Sequence, residues 1–197
     1  MRRSGPTCVL SSSYGSWLST CENEPMTAIR LLTVDDVPVL GALYRENREF
    51  LAPWEPARDE EYYTEDGYRA VVESALGRYK QGSAYPCVIL NEAGTVAGRI
   101  NLNDIVWGAF LSANIGYWVA RGDNGRGLAT AAVREIVAVA FGELGLHRVQ
   151  AGTLLDNVGS QRVLERNGFA RIGVAPAYLK IAGRWQDHIL FQLVASG

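Results

Sequence analysis

The stretch Asn124-Gly125-Arg126-Gly127-Leu128-Ala129-Thr130 constrains this chain more than any other. It joins an apolar run, Ile115-Gly116-Tyr117-Trp118-Val119-Ala120, to a stripe at helical spacing formed by Ala129, Ala132, Val133, Ile136, Val137, Ala140, Phe141 and Leu144. The pattern predicts a strand, a glycine turn, and a helix from about Leu128 to Leu144 capped by Gly145. Such a turn aims unpaired backbone N–H groups at an anion, and the helix dipole adds to the attraction. Glycine lets the backbone approach without an intervening Cβ. The expectation is a phosphate cradle; a plain strand–helix turn with ordinary glycines is the alternative.

The flanking segments supply the rest of a sheet. Thr27 to Leu32 reads as a first strand, and Thr33 caps a helix carrying Val37, Leu40, Leu43 and Tyr44. Phe50-Leu51-Ala52-Pro53-Trp54-Glu55-Pro56 should break that helix into a loop with two large aromatics. A second helix spans about Glu65 to Gln81 and ends at Gly82. Tyr85 to Leu90 and Val96 to Asn103 form a hairpin about Asn91-Glu92-Ala93-Gly94, and Ser112 to Ala120 is the next strand. After the glycine turn come a strand from Arg148 to Leu155, a short helix from Gly159 to Asn167, and a last hairpin turning near Ala182-Gly183. The fold class is α+β, an α/β three-layer arrangement with a mixed sheet.

Composition narrows the function classes. With 197 residues and 48% hydrophobic content, one domain with a real core is expected, residues 26–197. Residues 1–25, polar and without a sustained period, are expected to be a disordered N-terminal extension. A net charge of −2 argues against direct nucleic-acid binding through blanket phosphate neutralisation. No apolar run approaches the roughly 18 residues of a membrane span. Cys8, Cys21 and Cys87 are widely separated, and with His147 and His188 they make no metal set. A cytoplasmic protein, monomer or homodimer, without metal or membrane attachment, is the expectation.

Two familiar phosphate motifs do not fit. No Gly-Lys-Ser/Thr follows the turn, and Thr130 stands where a dinucleotide fold wants its third glycine. Instead, Asn124-x-x-Gly127-x-Ala129 resembles the pyrophosphate-binding motif of the GNAT acyl-CoA-dependent N-acetyltransferases, usually Gln/Arg-x-x-Gly-x-Gly/Ala. Asn157-x-x-Ser160-x-x-x-Leu164-x-x-x-Gly168-Phe169 resembles that family's Asn-x-x-Ser/Ala…Gly-Phe segment. Ile115 to Val119, Gly183-Arg184-Trp185-Gln186-Asp187 and Asn47-Arg48-Glu49-Phe50-Leu51-x-Pro53-Trp54 are similar to the ribosomal-protein (RimJ/RimL-type) branch. The resemblance spans about Ile29 to Val194 and implies a largely antiparallel sheet splayed at the strand before the glycine turn. One departure stands out, since Asn124 is shorter and uncharged. Phosphate contact would then fall to the main chain of residues 125–130 and to Arg126.

The resemblance implies acetyl-CoA as co-substrate and direct attack by an amine on its thioester. Residues Asn124 to Thr130 would hold the pyrophosphate, and Asn157 and Ser160 would face the pantetheine arm. Backbone donors around Trp118 and Val119 would meet the tetrahedral oxyanion. The tyrosine that many members place seven residues after the motif asparagine is Leu164 here. Ser160 is the natural substitute as acid for the leaving thiolate, or else an ordinary serine of a first helical turn. Asp104 is either a general base or a solvated turn aspartate. Phe50 and Trp54 wall the acceptor site or belong to the core, with Tyr117 and Trp107 weaker acceptor-site residues. The acceptor is expected to be a protein N-terminus. An α-amino group of pKa about 7.7–8.0 asks far less of a base than a lysine near about 10.4. A small-molecule amine, or a CoA-binding sensor without turnover, are the alternatives.

Overall fold

The computed structural model describes residues 28–195, so the segment 1–25 lies outside the described residues. Seven strands form one sheet: β1 Ile29–Leu31, β2 Tyr85–Leu90, β3 Val96–Val106, β4 Ser112–Val119, β5 Arg148–Leu154, β6 Ala170–Ile181 and β7 Arg184–Val194. Their order is β1-β2-β3-β4-β5-β7-β6. Every neighbouring pair is antiparallel except β4 and β5. The five α-helices are α1 Val37–Glu46, α2 Arg48–Leu51, α3 Glu65–Lys80, α4 Leu128–Ala138 and α5 Val158–Arg166.

Two apolar layers bury the sheet from opposite sides. On one face α1 and α3 set Val37, Leu40, Tyr44, Tyr68 and Val72 against Leu32 and Val88. On the other, α4 and the turn that follows it set Ala132, Val133, Ile136 and Ala140 against Ile89, Ile100, Leu102 and Val149. The helical stripe read from the sequence is this second contact. Glu135 ties α4 to the sheet edge, its carboxylate accepting the Ala28 N–H at 2.7 Å and the Ile29 N–H at 3.2 Å.

Local chemistry sets the helix ends. Thr64 caps α3 by accepting the Gly67 N–H at 3.0 Å, with Glu65 and Asp66 in the first turn and Arg78 and Lys80 in the last. Asn157 caps α5 by accepting the Ser160 N–H at 3.1 Å. The long helix expected to Leu144 is α-helical only to Ala138. Val139–Glu143 follows as a π-turn, so Leu144 donates to the carbonyl of Val139, five residues back. The strand expected to stop at Asn103 runs on to Val106 through a bulge. Phe50 lies on α2, a single helical turn, rather than in a loop.

The feature that makes a site is between β4 and β5. These parallel strands are in register only at Ser112–Arg148, Ala113–Val149 and Asn114–Gln150. Beyond Asn114 the two strands part, which is the splay the sequence resemblance implied. Side chains and backbone of the second half of β4 therefore face a gap.

Candidate active site

The gap opens into a cleft of about 600 Å³ that runs from the glycine turn to the loop after α2. Trp118, Val119, Asn124, Gly125, Gly127, Leu128, Ala129, Thr130, Asn157 and Ser160 all line it, as do Phe50, Trp54 and Tyr117. Residues from three distant parts of the sequence thus share one cavity.

The turn is left-handed where its glycines stand. Gly125 has φ +78° and Gly127, which precedes the first residue of α4, has φ +82°. A Cβ at either position would meet no protein atom within 4 Å. No side chain of the fold occupies that space, so it is open to a ligand in the cleft. Asn124 does not reach into it. Its Nδ2 donates to the carbonyls of Val119 at 3.2 Å and Ala120 at 3.3 Å.

Two expectations about charge change. Arg126 does not line the cleft; it faces a separate hollow with Asn91, Glu92, Ala93 and Leu128, and lies 3.4 Å from Asp123. The cations that do line the cleft are Arg162 and Arg166, one turn apart on α5. Neither is in an ion pair among the described residues. The sequence signal for them is their i, i+4 spacing among the unnamed positions of the second motif.

On β4 the pleat sends neighbouring side chains to opposite faces. Tyr117 packs against the α4 layer and Trp118 against the α1–α3 layer, where it meets Tyr44 edge-on at 5.3 Å. The Tyr117 hydroxyl lies 2.8 Å from Ser160 Oγ and 3.2 Å from the Ser160 carbonyl. Burial pushes the Tyr117 phenol up to about 12, against a smaller lowering by the hydrogen bond with Ser160. The backbone also alternates. Ala120 donates to Ala97 and the β3–β4 register is unbroken from Gly98 to Asn103. By that alternation the polar backbone groups of Trp118 face β3, and those of Tyr117 and Val119 face the gap. Since Asn124 occupies the Val119 carbonyl, the Val119 N–H is left as a donor on the gap side.

The opposite wall comes from the α1–α2 junction. Asn47, buried, accepts the Arg121 N–H at 2.7 Å and donates to the Leu43 carbonyl at 2.7 Å. It ties the aromatic wall to the start of the glycine turn. Phe50 and Trp54 follow, Trp54 being partly exposed. The next residue, Glu55, was passed over in the sequence because nothing there indicates burial. Its main-chain carbonyl accepts the Ala182 N–H at 2.9 Å, and its carboxylate accepts the Tyr44 hydroxyl. Burial raises its carboxyl, opposed by the nearby Arg58 guanidinium.

Asp104 is not brought to this site. It sits exposed in the β3 bulge at φ +50°, outside the residues that line the cleft. The bulge turns the chain there, and a bulge re-aims side chains. Trp107 also lies elsewhere, donating its indole N–H to the Gly82 carbonyl at 2.9 Å. Among the described residues there is no cluster of metal-ligating side chains, and no helix is long and apolar enough to cross a membrane.

Comparison with known proteins adds four observations. The model of the acetyltransferase (GNAT) domain matches residues 27–170. A Bacillus subtilis (strain 168) protein described as a probable N-acetyltransferase, YjcK, is 38% identical over 161 residues, covering 81% of this chain and 89% of its own. The [ribosomal protein uS5]-alanine N-acetyltransferase of Escherichia coli (strain K12) is 33% identical over 166 residues, covering 84% and 86%. Among solved structures, Mycobacterium smegmatis RimJ in complex with CoA-disulfide superposes with a TM-score of 0.81 at 29% identity, over 85% of this chain and 81% of that one.

Proposed function

This chain belongs to the GNAT acetyltransferase family, and from that premise we propose that it moves an acetyl group from acetyl-CoA to the α-amino group of a protein N-terminus, in the manner of the ribosomal-protein-alanine enzymes. The observation that carries the reading is the continuity of one cleft from the left-handed glycine turn, through the β4–β5 gap, to the wall of Phe50 and Trp54.

The cofactor fits the residues present. The main chain from Gly125 to Thr130 offers donors at the start of α4, in space that a Cβ would fill. Arg162 and Arg166 supply the positive charge that the diphosphate of CoA requires. The gap edge of β4 accepts the pantetheine amides, and the Val119 N–H faces the developing oxyanion. Ser160 holds a proton for the departing sulfur.

Asp123 and Asp156 are the carboxylates that line the cleft, and Asp123 lies against Arg126. An α-amino acceptor, of which roughly a tenth or more is neutral near pH 7, asks little of a base. The cleft holds its reactants in place more than it activates them, and positioning can supply much of the rate.

A thiol-release assay with acetyl-CoA and a panel of amines tests this directly. Turnover on peptides beginning with alanine or serine is expected, with capped peptides inert. Turnover confined to free amino acids or small amines would overturn the protein-acceptor reading. CoA binding without turnover on any amine would overturn the enzymatic one.

A further inference from the structure

One side chain in the cleft does more than its position in the sequence indicates. Tyr117 was grouped with the acceptor wall, yet its hydroxyl crosses to α5 and meets Ser160 at 2.8 Å. Both partners are fixed from behind. Ser160 is held by the Asn157 cap on its own N–H, and Tyr117 by β4 and the apolar layer around α4. Both line the cleft.

We propose that Tyr117 is a positioning residue for the reaction that acts through Ser160, orienting the serine hydroxyl and resupplying the proton that Ser160 gives to the leaving sulfur. This rests on the reading of Ser160 as the acid. The chemical need is simple. An aliphatic alcohol is a much weaker acid than a thiol, so a lone serine cannot protonate a thiolate without becoming an alkoxide. A phenol behind it, still a weaker acid than a thiol but a far stronger one than an aliphatic alcohol, makes that obstacle much smaller.

The step balances as follows. The acceptor nitrogen forms its bond to the acetyl carbon while the C–S bond breaks. The electron pair goes to sulfur, which takes the Ser160 Oγ proton as Oγ takes the Tyr117 proton. The phenolate is made neutral again by the proton that the acylated nitrogen releases, returned through solvent.

The geometry has a second consequence. Tyr117 carries one proton and has two acceptors, Ser160 Oγ at 2.8 Å and the Ser160 carbonyl at 3.2 Å. When it donates to Oγ, the serine proton is free to point into the cleft. When it donates to the carbonyl, Oγ donates back to the phenol and the serine is spent. The 2.8 Å contact between the two hydroxyls serves either direction, so the competent arrangement is the one in which the phenol donates. Burial pushes the phenol up to about 12, so it keeps its proton near neutral pH.

The test is a double-variant cycle, Tyr117→Phe, Ser160→Ala and both together. Single-turnover acetyl transfer from acetyl-CoA to an alanine-starting peptide is measured, with the acetyl-CoA KM and the thermal midpoint as controls. Tyr117→Phe is expected to slow transfer roughly tenfold to a hundredfold with KM within about twofold. The double variant is expected to be no slower than Ser160→Ala alone, because residues acting as one unit are not additive. In mixed H₂O/D₂O the wild-type rate should fall off as a curve set by two protons, and that of Tyr117→Phe as a line. A slowed Ser160→Ala with an unaffected Tyr117→Phe overturns this proposal and leaves the acid intact. Independent, multiplying losses also overturn it. An unaffected Ser160→Ala overturns the acid assignment beneath it.

Discussion

The side-chain amide of Asn124 donates to the carbonyl of Val119 at 3.2 Å, so the residue that departs from the family motif caps the end of the splayed strand. A Gln or Arg there would be long enough to reach outward. Asn is short enough to turn back. The result is local polarity of one sign. An acceptor on the gap side of β4 is covered, and the donor beside it is left facing the cleft.

Asn124→Asp replaces that donor with a carboxylate aimed at two carbonyls. We expect kcat/KM to fall by roughly tenfold to a hundredfold, with Asn124→Ala losing less, since one removes a hydrogen bond and the other adds repulsion. Steady-state kinetics on both variants check the order. Equal losses would mean that the amide's role at Val119 is negligible.

Gly127 stands at φ +82° with open space where its Cβ would be. The Cβ of Gly127→Val therefore meets no protein atom, and the expected damage comes from left-handed strain of about 1–3 kcal/mol and from obstruction of the ligand. The acetyl-CoA KM should rise by about tenfold or more. Gly122→Ala, also in open space but not left-handed, should leave KM within about twofold. An unchanged KM in Gly127→Val would refute the cradle.

The three arginines near the turn should separate. Arg162→Ala and Arg166→Ala remove cations that line the cleft, and each should raise the acetyl-CoA KM several-fold, by roughly 1 kcal/mol of charge-assisted contact, with kcat nearly constant. Arg126→Ala should change it little, because that side chain faces the neighbouring hollow. Titration calorimetry with CoA at two salt concentrations gives the same ranking without turnover. A larger effect at Arg126 would contradict the geometry.

Glu55 carries a pH signature. Burial raises its folded-state pKa above the ordinary 4.5, so its contribution to stability is full below the unfolded value and is lost as pH rises through the folded one. Glu55→Gln keeps an acceptor for the Tyr44 hydroxyl and removes the titration. Urea midpoints should show the variant gaining on the wild type from about pH 4 toward neutrality, then holding a constant lead. A lead that is constant over the whole range would remove Glu55 from the account.

The sequence by itself determined most of the elements and the segments that line the cleft. A period of 3.6 under α4, glycines at the turn and the Asn157 cap are local patterns, and local patterns are legible in one dimension. What depends on which face of a strand meets which helix is not legible in the sequence. Tyr117 and Trp118 are neighbours in the chain, yet the pleat sends one to Ser160, 43 residues away, and the other to Tyr44. Glu55 reads as a polar loop residue between prolines until the last hairpin closes over it through Ala182. Asp104, either a base or a solvated turn residue from the sequence, lies exposed in the β3 bulge outside the cleft. Arg126 lay within the motif and still turned away, whereas Arg162 and Arg166 face the cleft. The motifs settled which segments meet at the gap. Only the tertiary structure, through the parting of β4 from β5, decided which of their side chains share it.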